Sequence, residues 1–203
     1  MRSLSIHPWY TEKNWRPTTN TAQPTNAYFF DFTDSNLMNI FIDFEASSLR
    51  PESWPIEIGL AWLEGRKVVV KSRLITPRVE WDPNDWDPKS EKVHGLQYST
   101  VTTSGSGADE VSDWLLDIVQ ENALISDAPD FDQRWLDRLL SRPGPQIMDF
   151  DQAAWNTFSD KGYRASSVLS RVYKTKANRP TTHRAGPDAA DLAYAWRAGM
   201  LKG

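Results

Sequence analysis

An acidic pair inside the first apolar segment constrains this chain more than any other feature. Residues 40–45 read Ile-Phe-Ile-Asp-Phe-Glu, and Ile40, Ile42 and Phe44 alternate with Phe41, Asp43 and Glu45. That alternation is the period-two pattern of a β-strand. It points Asp43 and Glu45 to one face, in company with Phe41. Two neighbouring carboxylates in an apolar strand repel each other, and burying them without a partner is costly. Either the pair faces water on an edge strand, or a divalent cation compensates it. Magnesium and manganese are the ions that prefer such oxygen ligands, taking one or two carboxylates plus water and substrate phosphate.

The next segments along the chain define the architecture. Residues 55–63 and 67–75 are rich in β-branched and apolar side chains with Gly65 between them, which predicts a three-strand meander. Residues 77–88, rich in Trp, Asp and Pro, predict a loop, and residues 102–107 a flexible run. Val111, Trp114, Leu115, Ile118 and Val119 have the spacing of one helix face. Residues 123–126 read as a short buried strand, Phe131 to Leu140 as a helix, and residues 146–150 as another short strand. A last helix opens on Gly186-Pro187-Asp188 and directs Leu192, Ala193, Trp196 and Met200 inward. The expected fold class is α/β: one mixed five-stranded sheet, three antiparallel strands plus two parallel ones, flanked by helices.

Residues 1–37 differ in character. Residues 18–26 are polar, nearly uncharged and without periodicity, so 1–37 is expected to be an extended or disordered arm ahead of a folded domain at 38–203. The cluster Tyr28-Phe29-Phe30-Asp31-Phe32 reads as a short sticky strand or an anchoring patch. With 203 residues, 39% of them hydrophobic, the chain can bury a core without a covalent or metal staple. The absence of cysteine excludes disulfides and thiolate metal sites and fits a reducing, cytoplasmic setting. No apolar run reaches the ~20 residues of a membrane helix, so no membrane partner is expected. The ten tryptophans follow no fixed period and read as packing residues.

Two weaker features accompany the acidic pair. Asp132 stands at the start of a predicted helix, after Ser126-Asp127-Ala128-Pro129-Asp130-Phe131, where an acid is also ordinary helix-dipole chemistry. His183 and Asp188 form H-x4-D at the opening of the last helix, where a surface histidine is the ordinary alternative. The order D-x-E, then D, then H-x4-D puts each motif at the edge of a predicted element.

These motifs resemble those of the DEDDh (DnaQ-like) 3′→5′ exonucleases of the ribonuclease H-like superfamily. Phe41 to Leu49 is similar to the family's first motif, Pro55-Ile56-Glu57-Ile58-Gly59 to its second strand, and Val93-His94-Gly95-Leu96 to its short H-G segment. Phe131-Asp132 with Trp135-Leu136 resembles the second motif and His183 to Ala193 the third. Two positions depart from the family: Ser126-Asp127 replaces its histidine-asparagine pair, and Ser48 stands where many members carry glycine. The resemblance implies that Asp43, Glu45, Asp132 and Asp188 hold two Mg²⁺ or Mn²⁺ ions, with Asp127 and Asp130 as alternative ligands at the second motif. It implies that His183 is the general base and that a nucleoside 5′-monophosphate leaves a single-stranded 3′ end. Ala46, Ser47, Ser48, Leu49, His94 and Arg184 are the substrate-binding residues it suggests, Leu49 as a wedge against the terminal base.

Net charge is −4, yet residues 161–184 hold Lys161, Arg164, Arg171, Lys174, Lys176, Arg179 and Arg184 with no acid among them. This stretch is expected to bring positive charge to the mouth of the site, as phosphate binding requires. Trp155, Tyr163 and Tyr173 beside it either stack bases or pack the core. The alternatives are an exoribonuclease or oligoribonuclease-like enzyme and a catalytically silent nucleic-acid-binding module of the same fold. A homodimer is compatible with the sequence.

Overall fold

The computed structural model describes residues 37–201, the side chains of Lys161 and Tyr163 excepted. The polar arm and its aromatic cluster lie outside the described residues. The chain divides after Asp34, and the described residues belong to the unit that begins at Ser35.

Period-two alternation has the consequence it demands. In β1 (Asn39–Ala46) the side chains of Ile40, Ile42, Phe44 and Ala46 enter one core with Trp54, Ile56, Ile58, Leu60, Leu115 and Leu136. Phe41 enters a second core with Phe150, Phe158, Val172, Ala189 and Trp196. β1 is therefore covered on both faces, and its two carboxylates are not a solvent-facing edge pair. β2 (Pro55–Glu64) pairs antiparallel with β1, and β3 (Lys67–Thr76) antiparallel with β2. Gly65, at φ 61°, supplies the left-handed residue in the tight turn between them. β5 (Ala123–Ser126) pairs parallel with β1, and β6 (Ile147–Asp149) parallel with β5.

The sheet order is β4-β3-β2-β1-β5-β6, so the sheet has six strands and not the expected five. The sixth is β4 (Ser106–Gly107), two residues that pair parallel with Ile75 and Thr76. A two-residue strand is too short to display alternation. Thr76 Oγ1 donates to the carbonyl of Gly105 at 2.9 Å, and Arg73 binds Glu110, so side chains pin this strand. The expected flexible run is thus ordered: Thr102 and Thr103 close the end of α2 (Tyr98–Ser104) by bonding back to Ser99. The expected loop before it holds a short 3₁₀ turn at Pro83–Asp85 and leads into α1 (Pro88–His94), capped by Asp87 and ended by left-handed Gly95.

α3 (Ala108–Val119) and α4 (Pro129–Leu140) cover the first core, burying Val111, Leu115, Val119, Trp135, Leu136 and Leu139. α5 (Phe150–Phe158), α6 (Ala165–Ala177) and α7 (Ala185–Met200) cover the second. Leu192, Ala193 and Trp196 point inward as expected; Met200 does not, because it ends the helix exposed. Phe131 is likewise exposed at the first turn of α4. Among the described residues no helix is long and apolar enough to cross a membrane.

One position lets α7 reach the sheet. Gly59 on β2 lies opposite Asp43, and a Cβ there would collide with the Ala185 carbonyl and the Gly186 nitrogen, the first turn of α7. Gly59→Ala is expected to destabilise the fold by about 3 kcal/mol, the upper range for overpacking. Urea denaturation checks it, and an unchanged midpoint contradicts this account of the α7 contact.

Candidate metal centre and nucleic-acid interface

β1 is longer than its parallel neighbour, and the site follows from that mismatch. β2 accompanies β1 to its end, whereas β5 pairs only with residues 39–41. Past that point one side of β1 opens into a crevice beyond the carboxyl ends of β1 and β5, the ordinary position for a ligand site in an open α/β sheet. The register shifts between Glu45 and Ala46, where Ile56 is an extra residue on β2, as bulges beside functional sites do. Asp43 and Glu45 face this crevice from the sheet. The first turn of α4 brings Asp132, the first turn of α7 brings Asp188, and the loop before α7 brings His183.

Crowding of these carboxylates dominates the electrostatics. Asp43 is pushed well above the usual carboxylate range, first by burial and then by Asp132, Glu45, Asp188 and Asp127. Burial also raises Glu45 to about 8, helped by Asp188 and Glu57 and opposed by Arg184. Asp132 is raised to about 7 by burial, although its hydrogen bond with Ser126 Oγ and one from the Phe44 backbone N–H oppose the shift. Asp132 therefore takes up a backbone group of β1 just where β5 no longer pairs with it. Among the described residues none of these three, nor Asp188, forms an ion pair. Carboxylates at such density suit a hard divalent cation. Ligand atoms of Glu45, His183 and Asp188 lie within 4.8 Å of one another.

The loop that carries His183 is held in two ways. Asp188 reaches back over it: Oδ1 accepts from Thr182 N and Oγ1, both at 2.9 Å, and Oδ2 accepts from His183 N at 2.9 Å. His183 itself is at φ 54°, a left-handed conformation that costs a non-glycine residue energy and is found at functional sites. The second restraint is Glu57, buried on β2 opposite Glu45. Its carboxylate accepts from Arg184 Nε at 2.9 Å, from Arg184 Nη2 at 2.8 Å and from Ala185 N at 3.2 Å. Arg184, read from the sequence as a substrate contact, spends this bidentate pair inside the protein.

Two clefts flank the carboxylates. One, of about 590 Å³, includes Glu45, Ala46, Ser48, Leu49, His94 and His183 in its wall. Leu49 is exposed at its rim, while His94 is buried with Nδ1 accepting from Leu96 N at 3.0 Å. That bond leaves the imidazole proton on Nε2, which has no partner; burial lowers the His94 pKa and so keeps the ring neutral. Ser47 does not line this cleft, because it is fully buried and its Oγ accepts from Trp54 N at 3.0 Å. The second cleft, of about 540 Å³, is lined by Asp43, Asp188, Asp127, Asp151, Asp191, Lys176 and Arg179 among others.

The basic stretch is more internally compensated than its sequence suggests. Lys176 pairs with Asp127 at 3.4 Å and Asp151 at 3.9 Å, Arg179 pairs with Asp191, and Arg184 with Glu57. Arg171 donates to the carbonyls of Ala198 and Leu201 at the end of α7. Lys176 and Arg179 nevertheless stand in the second cleft. Asp130 is exposed on the first turn of α4, and Asp127 is exposed in the second cleft. Sequence reasoning missed the positioning roles of Glu57 and Ser126. The signal for Glu57 was a lone acid in the long buried run of β2, and an acid so placed requires a partner.

No family model and no curated protein sequence matches the chain. Among solved structures it is similar to the zinc-bound form of the E. coli exonuclease I complex with single-stranded DNA (15% identity, TM-score 0.57, 78% of this chain and 39% of that one). It is similar to E. coli exonuclease I in another structure (12%, TM-score 0.59, 80% and 40%). Exonuclease I of Methylocaldum szegediense gives 13%, TM-score 0.58, 80% and 40%. The chain thus spans about two fifths of the length of these proteins, and it shares the fold of that part.

Two outcomes follow from the site's electrostatics. The raised carboxylates have unfolded values of 4.5 for Glu45 and 3.8 for Asp132 and folded values of about 8 and about 7. Their contribution to stability is complete below the unfolded values and is lost as pH rises through the folded ones. In chelator, Tm is expected to fall between about pH 5 and about pH 8, and Mn²⁺ to raise Tm more at the higher pH. A metal response equal at both pH values contradicts the cluster. Glu57→Gln is expected to cost about 2 kcal/mol in urea denaturation, because it removes charge-assisted bonds to Arg184 and Ala185; a neutral result contradicts the restraint.

Proposed function

We propose that this chain is a divalent-metal-dependent 3′→5′ exonuclease acting on single-stranded or short nucleic acid and releasing nucleoside 5′-monophosphates. The observation that carries the reading is the cluster of Glu45 on β1 with His183 and Asp188 at the opening of α7, beside Asp43, whose carboxyl is raised by Asp132, Glu45 and Asp188. The similarity in fold to proteins solved with single-stranded DNA supports it.

Asp43, Glu45, Asp132 and Asp188 would hold two Mg²⁺ or Mn²⁺ ions. Bound there, the ions supply an acidified water and stabilise the charge of an in-line displacement at phosphorus. The protein's own residues do the rest. His183, exposed beside Glu45 and Asp188, takes the proton of the attacking water at its imidazole. As the water oxygen bonds to phosphorus, the bond to the 3′ oxygen of the preceding nucleotide breaks, and that oxygen leaves with the shortened strand. Glu57 and Arg184 orient the His183 loop. The cleft of Leu49 and His94 receives the terminal nucleoside: Leu49 meets the base, and the neutral Nε2–H of His94 donates to an acceptor on it.

Matched 5′-labelled RNA and DNA oligonucleotides, incubated side by side with Mg²⁺ or Mn²⁺, test the reading. Stepwise loss of mononucleotides from the 3′ end is the expected result, and cleavage of RNA alone assigns an exoribonuclease. Tight binding with both substrates intact assigns the silent binding module and contradicts the enzyme. Asp43→Asn is expected to reduce turnover to background and to leave the fold intact, since it relieves repulsion among buried acids. Retained turnover in that variant breaks the ligand assignment.

A further inference from the structure

Among the described residues the tryptophans behave as packing residues with one exception. Trp54, Trp62, Trp81, Trp135 and Trp196 are buried and Trp86 and Trp114 half-buried, whereas Trp155 on α5 is 57% exposed. Leaving so large an apolar ring in water has no packing explanation here. Tyr173 on the neighbouring α6 is also exposed, and it lines the same cleft as Asp43 and Asp188. Asp151 ties the two helices together at this point. It lies one turn before Trp155 on α5, pairs with Lys176 one turn beyond Tyr173 on α6, and together with burial and Asp149 raises the Tyr173 hydroxyl pKa.

Glu45 and His183 line the cleft of Leu49, and Asp43 and Asp188 line the second one. If the terminal nucleoside occupies the Leu49 side, the rest of the strand must leave across the Asp43 and Asp188 side, along α6 and α5. We propose that Tyr173 and Trp155 form a stacking platform for the bases that precede the terminal nucleotide, with Lys176 and Arg179 beside the phosphates at its inner end. This rests on the exonuclease reading for its direction. It also specifies the substrate further: the strand must be unpaired over several nucleotides, because a base held in a duplex cannot offer its face to a ring. Every base has such a face, so the platform discriminates by strandedness and length and not by sequence.

The test compares a thymidine dinucleotide with a 12-mer of thymidine in wild type, Trp155→Ala, Tyr173→Ala and Trp155→Phe. The kcat/KM for the 12-mer relative to the dinucleotide is expected to fall by roughly 5- to 100-fold for each ring removed, and to survive in Trp155→Phe. A ratio equal to wild type in both alanine variants overturns the platform. Binding of a labelled 12-mer in chelator, read by fluorescence polarisation, tests it without turnover. There, weakening by roughly 5-fold or more supports the platform even if the wild type cleaves nothing, and unchanged binding overturns it. Absence of mononucleotides from both substrates in the wild type overturns the exonuclease reading instead.

Discussion

Mutual repulsion among buried carboxylates at the end of β1 is the constraint around which the rest of this molecule is arranged. Asp43 is raised by four neighbouring acids as well as by burial, and Glu45 and Asp132 share the effect. A buried apolar strand is an expensive place for negative charge, and the N-termini of α4 and α7 offset only part of that cost. The surrounding structure keeps the groups there nonetheless. Gly59 makes room for α7 to touch the sheet, Ser126 and the Phe44 backbone hold Asp132, and Asp188 is fastened to the loop it follows. The pair between buried Glu57 and half-exposed Arg184 fixes that loop from behind. Each restraint opposes the relaxation that would let the acids separate into water.

The fold gives this crowding its use. β1 outlasts β5, so its last carboxylates face a crevice on that side instead of a paired strand, and the regular pairing with β2 breaks at Ile56. The two clefts on either side differ in chemistry. One adds Leu49, Val93 and Trp135 to its charged wall; the other is lined mostly by charged side chains and by Tyr173, Lys176 and Ala177 of α6.

Legibility in the sequence followed the strength of periodicity. The alternation of Ile40 to Glu45, the apolar runs of β2 and β3 and the spacing from Val111 to Val119 each carry their own geometry, and the structure has those elements. The acids Asp43, Glu45, Asp132 and Asp188 were readable because each sits at an element boundary or breaks an apolar pattern. What stayed hidden depends on tertiary contact. β4 exists only because Ile75 and Thr76 offer a free edge. The charge of residues 161–184 looked available until Lys176, Arg179 and Arg184 found acids from α7, β2 and the β5–α4 and β6–α5 segments. Ser47, read as a substrate contact, is buried where Asp87 and Trp54 bond to it. Local composition carries no information about such partners.

The central claim is that Asp43, Glu45, Asp132 and Asp188 together bind divalent cations. Anomalous diffraction from crystals soaked in Mn²⁺ tests it most directly. The account predicts anomalous peaks bonded to carboxylate oxygens of these four residues, lost in Asp43→Asn crystals. Peaks confined to other acids, or none at the end of β1 at saturating Mn²⁺, would contradict it.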